Sequence, residues 1–475
     1  MDAKDRIILE QAQRIAELES QLKAALEKIA SLGKNSRNSS KPPSSDIVKP
    51  KPPAQKDEQG DEIKRKIGAQ PGHEQNLRTP LSPEMLDEII KLDLSECPQC
   101  HRQLDLVEGE TKKTQQITLV EKPIFVTEYQ QLKYWCQHCQ EYHYAILPDA
   151  VRKTGLFGID MTALTAWLKG RGHMSYRTLQ EYFREVLGID ISTGFLDKQI
   201  KKTSAALKSP YEELAELLKQ EEHLNIDETS LKKNGKLQWA WCFVSEFFTF
   251  FKIDASRGSK VLFDTLGVDF QGSIGSDFFS AYRKYGGKTG VLFQFCWAHL
   301  IREIRFLATL ADTQKYGNRL LKHVKKMFET LHRQDEMTEG EFEQLMKRHK
   351  KAIMRLVRRH VPEHKKAANL QKRFEEYGES YFLFLDNPSI EPTNNAAERE
   401  IRTLVIDRMI TQGVRSESGN EWHERFWTVL ATCKKLGLNV MDFLRQSIQH
   451  FILGSREPPS FLKAIAQQHY FATEE

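Results

Sequence analysis

His223–Leu224–Asn225–Ile226–Asp227 is the stretch on which the reading of this chain turns. A short apolar run bounded by polar residues and closed by a carboxylate has the pattern of a buried strand. Asp227 then stands at its end. Downstream, Lys232–Lys233–Asn234–Gly235–Lys236 supplies an Asn-Gly hairpin turn. Gln238–Val244 and Phe247–Ile253 follow as β-rich runs, and Ser259–Leu266 reads as a helix. Ser273–Asp277 is a second apolar run closed by an acid, Ser280–Tyr285 a short helix, and Val291–Trp297 another strand. Strand, hairpin, strand, helix, strand, helix, strand is the order of an RNase H-like mixed sheet.

The two strand-end aspartates acquire a third partner far along the chain. Pro392–Thr393–Asn394–Asn395–Ala396–Ala397–Glu398–Arg399 is helix-patterned and carries Glu398. Carboxylates that converge repel one another unless cations hold them together. Magnesium binds through one or two carboxylates plus phosphate oxygens. Two such ions about 3.5–4 Å apart activate both oxygens of an in-line phosphoryl displacement. Asp227, Asp277 and Glu398 are therefore the expected catalytic residues and magnesium ligands, with two ions bound and manganese able to substitute. Asp227 is expected to bridge both ions. Taken singly each acid has a plainer role: a strand-end Asp as a turn residue, or Glu398 as a surface charge pairing with Arg402 at i+4.

Outward from this core the chain divides into segments. Residues 5–32 carry a heptad, with Ile8, Ile15, Leu22 and Ile29 seven apart and Leu18, Ala25 and Leu32 on the paired seam. This predicts a two-stranded coiled coil over 1–32. Residues 33–80 are rich in Ser, Pro, Asn and Lys and read as a flexible linker. Cys97/Cys100 and Cys136/Cys139 form two Cys-x-x-Cys pairs, four of the seven cysteines. With no signal-peptide pattern at Met1–Asp2–Ala3–Lys4–Asp5, they read as reduced thiols around one structural zinc. The 35 residues between them include a strand-like run from Gln116 to Tyr129, which predicts a zinc ribbon with an extended hairpin over 81–150. His101, His138 and His143 compete as ligands, but four thiolates are the simpler set. Residues 151–222 are helical, and Tyr176–Leu187, Gly188 and Ser192–Ile200 have helix-turn-helix spacing. A supporting helical hairpin fits the same spacing.

The α/β catalytic domain is expected over 223–310 and 390–430, interrupted by an all-helical insertion at 311–389 and followed by C-terminal helices at 431–475. The insertion is basic: Lys347, Arg348, Lys350, Lys351, Arg355, Arg358, Arg359, Lys365 and Lys366 stand against one acid, Glu363, between 347 and 366. Such a run neutralises phosphates by counterion release; a solvated helix face is the plainer reading. His360–Val361–Pro362–Glu363–His364 matches an inverted zinc-protease pattern. Pro362 breaks the helix that would have to present both histidines.

Composition excludes other classes. At 475 residues the chain holds several domains, with 40% apolar and 28% charged residues and a net charge of +5. The longest apolar runs, Trp239–Val244 and Phe247–Phe251, are far too short for a membrane span.

The motifs together resemble those of DDE transposases of the insertion-sequence-66 family. The resemblance spans nearly the whole chain. It is carried by the N-terminal zipper, Asn38–Ser39–Ser40–Lys41–Pro42–Pro43–Ser44–Ser45, Gln70–Pro71–Gly72–His73 and the paired Cys-x-x-Cys. Ile226–Asp227–Glu228–Thr229, Ser276–Asp277 with Ala281–Tyr282, Cys296–Trp297–Ala298–His299 and Asn394–Asn395–Ala396–Ala397–Glu398–Arg399 complete it. Departures at His101, Thr393 and Met409–Ile410–Thr411 bear on DNA contacts and subfamily rather than on the triad. The resemblance implies a transposase that binds terminal inverted repeats and target DNA and acts as a homodimer or higher oligomer. It would cleave and join DNA with accessory proteins of its element, in the bacterial cytoplasm and at the nucleoid. His299 and Arg302, and Arg399 and Arg402 beside Glu398, are expected to grip DNA phosphates. The alternatives are a non-catalytic, domesticated DNA-binding protein and an RNase H-like nuclease or resolvase that cleaves without joining.

Overall fold

The computed structural model describes residues 3–32, 81–90, 123–454 and 457–472, with positions 99, 114, 115, 117 and 120. The linker over 33–80, Cys97, Cys100 and His101 lie outside the described residues. The chain forms two compact units, Lys51–Glu128 and the remainder. Within the smaller unit, the Gln115 side chain accepts from Leu81 N at 2.8 Å and donates to Leu81 O at 2.9 Å.

The larger unit begins with α1 (Ala3–Leu32). On it Ile15, Leu18, Leu22 and Ile29 are all exposed, so the heptad stripe is present as an apolar face on a single helix. A short hairpin follows, β1 (Lys133–Cys136) and β2 (Glu141–Tyr144), antiparallel with Tyr134 opposite His143. Of the strand-like run expected from Gln116 to Tyr129, the described residues 117, 120 and 123–129 include no strand. Pro123 removes a ladder donor, and a long ribbon with no second layer buries too little to persist.

Helices α2 (Asp149–Thr154), α3 (Ile159–Gly170), α4 (Tyr176–Glu185), α5 (Thr193–Ala206) and α6 (Lys208–Leu217) come next. Ser192 caps α5 as expected, its hydroxyl accepting from Phe195 N at 3.1 Å. Phe157, Leu168, Leu179, Phe183, Ile191 and Leu196 form a small core of their own beneath α3, α4 and α5. The other side of α5 packs on the C-terminal helices through Ile200 and Thr203. Helix α5 thus packs on two sides, while Lys198 and Lys201 stay exposed.

The central sheet has five strands: β3 (His223–Lys233), β4 (Lys236–Val244), β5 (Thr249–Asp254), β6 (Ser273–Ser276) and β7 (Leu292–Phe295). Their spatial order is β5-β4-β3-β6-β7, with β5, β4 and β3 antiparallel and β3, β6 and β7 parallel. The β3–β4 turn is the expected one, with Asn234 at φ 48° and Gly235 at φ 78°. Between the strands run α7 (Lys260–Leu266) and α8 (Ser280–Thr289). The last strand is shorter than Val291–Trp297, because Cys296 caps α9 (Trp297–Leu307) and Trp297 already belongs to that helix.

The insertion is all helical, with α10 (Gln314–His332), α11 (Glu339–Arg358) and α12 (Lys365–Tyr377). Then come α13 (Asn395–Thr411), α14 (Glu417–Lys435), α15 (Val440–Leu453) and α16 (Phe461–Ala472). The boundary expected at 430 falls inside α14, which is structurally part of the sheet. Its Glu424, Thr428 and Thr432, spaced four apart, line one helix face. They accept from the backbone N–H groups of Ile253, Phe251 and Thr249 at 2.7, 3.0 and 3.3 Å. Edge strand β5 thereby has its outward donors satisfied by helix side chains instead of water or another chain. Among the described residues no helix is long and apolar enough to cross a membrane.

Candidate functional site

Sheet register places the first two acids, with Asp227 inside β3 and not at its end as expected, because the strand runs on through its pairing with β4 to Lys233. Leu224 pairs with Ile274 and Asn225 with Gly275 in the parallel β3–β6 ladder. Two residues beyond the last of these pairs, Asp227 and Asp277 lie toward the same end of the ladder, close enough for the Asp277 charge to act on Asp227. Gly275 leaves room for the Asn225 side chain, since a Cβ there would lie 2.4 Å from Asn225 Oδ1. Asp277 follows directly on β6, and its Oδ1 accepts from Phe279 N at 2.9 Å, fixing the turn into α8. Asp227 Oδ1 accepts from Glu228 N at 2.9 Å.

Glu398 comes from a separate element, in the first turn of α13. Three bonds anchor that turn. The buried Asn394 side chain donates from Nδ2 to Ile226 O at 2.8 Å. The Asn394 N–H donates to Cys296 Sγ at 3.1 Å, and Trp297 N donates to Pro392 O at 3.0 Å. Helix α13 is thus pinned at once to the strand that carries Asp227 and to the end of β7.

Burial, then the charges of Glu228, Asp277 and Glu398, pushes Asp227 well above the usual carboxylate range. Asp277 is also raised by burial, against the pull of the Phe279 N–H and Arg257. Like charges gathered this way require a cation or a proton. Glu228, the neighbour most easily mistaken for a ligand, is otherwise engaged. Its carboxylate takes two bonds from Arg257, at 2.9 and 2.8 Å, and one from the Tyr282 hydroxyl. Burial, then Asp277, still raises it to about 7.

His299 and Arg302 lie one turn apart on α9, as expected, but they face Glu398 instead of open solvent. Arg302 Nη2 is 3.4 Å and His299 Nδ1 3.7 Å from Glu398 Oε1. Burial, then Arg302, lowers His299 to about 4, which leaves a neutral imidazole. Cys296, His299 and Glu398 present ligand atoms within 4.8 Å of one another; the three acids do not form such a group among the described residues. Arg399 and Arg402 are exposed, and the Glu398–Arg402 pair does not form among the described residues.

The basic face of α11 is weaker than its sequence count. Lys347 pairs with Glu343 and Lys350 with Glu379, both acids lying outside the counted window. Arg348, Lys351, Arg355, Arg358 and Arg359 are exposed. The His360–His364 motif spans the break between α11 and α12, with His360 at φ 50° and His364 capping α12, so no helix presents both imidazoles. At the hairpin, Cys136, Cys139 and His143 gather within 4.8 Å, which brings His143 beside the expected thiolates. The β1–β2 register, with His143 opposite Tyr134, is what brings it there.

Sequence reasoning gave no role to Cys296 or Asn394, though both lie in quoted motifs. Arg257 carried no signal at all, since only the fold brings it to Glu228.

Fold and site together define a mixed-sheet domain with acids on β3, just after β6 and on α13, joined to a cysteine knuckle. The family model described as "Transposase IS66 family" matches residues 154–421, more than half of the chain, and the chain belongs to that family. Residues 95–140 match the zinc-finger binding domain of transposase IS66, and residues 3–79 a family of unknown function (DUF6444). The zinc-finger match and the cysteine cluster support a structural zinc. The uncharacterized protein y4qI of Sinorhizobium fredii is 24% identical over 309 residues, which cover 59% of this chain. The match takes in 56% of that relative, so the chain spans about half the length of the curated protein it matches.

Proposed function

We propose that this chain is a DDE-type transposase with an RNase H-like catalytic domain. It binds the terminal inverted repeats of its element, cleaves DNA and transfers the freed ends to a target. The observation that carries this reading is the meeting of three separate segments. Register brings Asp227 and Asp277 toward the same end of the β3–β6 ladder, and Asn394 fastens the Glu398 helix to the residue before Asp227.

The donor set fits magnesium. All three groups offer hard carboxylate oxygens, and the acids around Asp227 oppose its ionisation unless a cation is present. Asp227, Asp277 and Glu398 would hold the ions, which supply a lowered pKa for the attacking water or hydroxyl and charge neutralisation at the leaving oxygen. The absence of a tight three-acid cluster is compatible with two ions, because ligands on opposite sides of such a pair need not approach each other. Arg302 and His299 orient the Glu398 carboxylate from behind. The apolar stripe of α1 supports dimerisation through a coiled coil.

The test is a magnesium-dependent cleavage and joining assay on duplexes carrying the element's own ends. Asp227→Ala and Glu398→Ala should each abolish cleavage and joining while binding persists. Joining at the wild-type rate by either variant would sink the triad. Wild-type cleavage without joining would identify a nuclease, and binding without either a non-catalytic protein.

A further inference from the structure

A cationic groove lies at the far end of the same strand and helix. Helix α13 runs alongside β3: Asn394 bonds to Ile226 at its start, Arg408 to Ser230 near its end, and Val414 to Lys232 just beyond it. A groove of about 730 Å³ opens where these elements meet the hairpin tip. Ser230, Lys232, Leu237, Arg408, Met409 and Arg415 are among its lining residues.

Its floor is preformed. Val414 N donates to Lys232 O at 2.9 Å and Asn234 N to Val414 O at 3.0 Å, which locks the loop after α13 onto the hairpin. That close approach needs Gly413, at φ 98°, where a Cβ would lie 2.4 Å from Lys232 O.

Its charge is unbalanced. Lys232, Arg408 and Arg415 form no ion pair among the described residues, although Lys233 beside them is paired with Glu417. Arg408 is half-buried and spends Nη1 on Thr229 Oγ1, at 2.8 Å, and on Ser230. The other guanidinium nitrogens have no partner among the described residues. A guanidinium held by one nitrogen and open at the others suits a tetrahedral oxyanion. Leu237 and Met409, each more than half exposed, add apolar wall of the kind that packs against sugars.

Distance connects this groove to the acids. Arg408 is ten residues past Glu398, about 15 Å along the helix. Lys232 is five past Asp227, about 17 Å along the strand. One strand of a B-form duplex advances about 3.4 Å per phosphate, so the groove lies roughly four or five phosphates from the acids. We propose that this groove binds the phosphodiester backbone of duplex DNA flanking the bond held at Asp227, Asp277 and Glu398. The inference rests on the DNA reading of the site but not on its chemistry.

The test is fluorescence anisotropy of a labelled 40-base-pair duplex, of about 130 Å, titrated with the full chain without added magnesium over a range of salt. The variant is Lys232→Glu with Arg415→Glu, two exposed positions, with folding checked by circular dichroism. The double variant should bind at least tenfold more weakly at 0.1 M salt, and its slope of log affinity against log salt should fall by about 2. Unchanged affinity and slope in a folded variant would overturn the groove and leave the catalytic reading standing. Failure of the wild-type chain to bind duplex DNA would overturn both.

Discussion

Asn394 donates from its side-chain amide to the carbonyl of Ile226 at 2.8 Å, joining two residues 168 positions apart. The bond is buried, and it sits one residue before Asp227 on the strand and four before Glu398 on the helix. Asn394→Ala leaves the Ile226 carbonyl without its partner and frees the start of α13. It should cost about 1–3 kcal/mol of stability. Under the proposed function it should also slow cleavage about 100-fold with little change in KM, since misplacing a catalytic group by an ångström has that effect. Denaturant titration and single-turnover kinetics check both. An unaltered cleavage rate would show that Glu398 does not depend on this tie.

Edge strand β5 gives a cleaner stability experiment. Thr428→Val keeps the shape of the side chain but removes the acceptor for Phe251 N–H, at a position with no exposure. The loss should again be about 1–3 kcal/mol, read as a lower urea midpoint with an unchanged slope. A shift under a few tenths of a kcal/mol would mean that the helix does not satisfy the strand.

The hairpin should depend on its metal. It exposes Trp135, Tyr134, Tyr142 and Tyr144 and so buries little to hold itself together. Structural zinc supplies about 10–16 kcal/mol in comparable small modules. Cys136→Ser should lower bound zinc from one equivalent per chain to nearly none, measured by atomic absorption. Full retention of zinc would remove Cys136 from the ligand set.

Buried histidines set an acid limit on stability. His423, in contact with Asp407, is lowered to about 4 by burial first, with Asp407 opposing and Lys169 and His173 reinforcing. Between about 4 and the ordinary 6.5 the unfolded chain takes up a proton that the folded chain refuses. Stability from this group is complete above about 6.5 and is lost as pH falls toward 4, by at most about 1.4 kcal/mol per pH unit. His223 and His299 are lowered to about 4 as well and act with the same sign. His423→Asn should therefore make the fall in stability across that window shallower, by at most about 1.4 kcal/mol per pH unit, measured by denaturation at a series of pH values. An identical pH profile would mean that His423 is protonated in the folded chain.

Legibility differed between elements for physical reasons. The strands and helices from 223 to 307 were readable because period-2 and period-3.6 burial and the Asn-Gly turn are local signals, but Asp227 was expected to close a strand that in fact runs on to Lys233. Around Cys136 the described strands are only four residues each, since whether a β-rich run becomes a strand depends on partners the sequence does not display. Counting charges on α11 overstated its basicity, because Glu343 and Glu379 reach into the face from outside the counted window. His299 and Arg302 were correctly placed on one helix face, but which way that face points is a packing outcome.

By itself the sequence determined the inventory: three acids, two closing short apolar runs and one on a helix-patterned stretch, with a pair of Cys-x-x-Cys knuckles, an apolar heptad and a helical insertion. Each arises from neighbours within a few residues, where backbone sterics and side-chain periodicity act. Only the tertiary structure decided what meets what. Parallel register brings Asp227 and Asp277 toward one end of the ladder, Asn394 ties α13 to β3, Arg257 neutralises Glu228, and α14 closes the edge of the sheet. Such contacts join residues tens to hundreds of positions apart. They follow from packing one element on another, which no local pattern encodes.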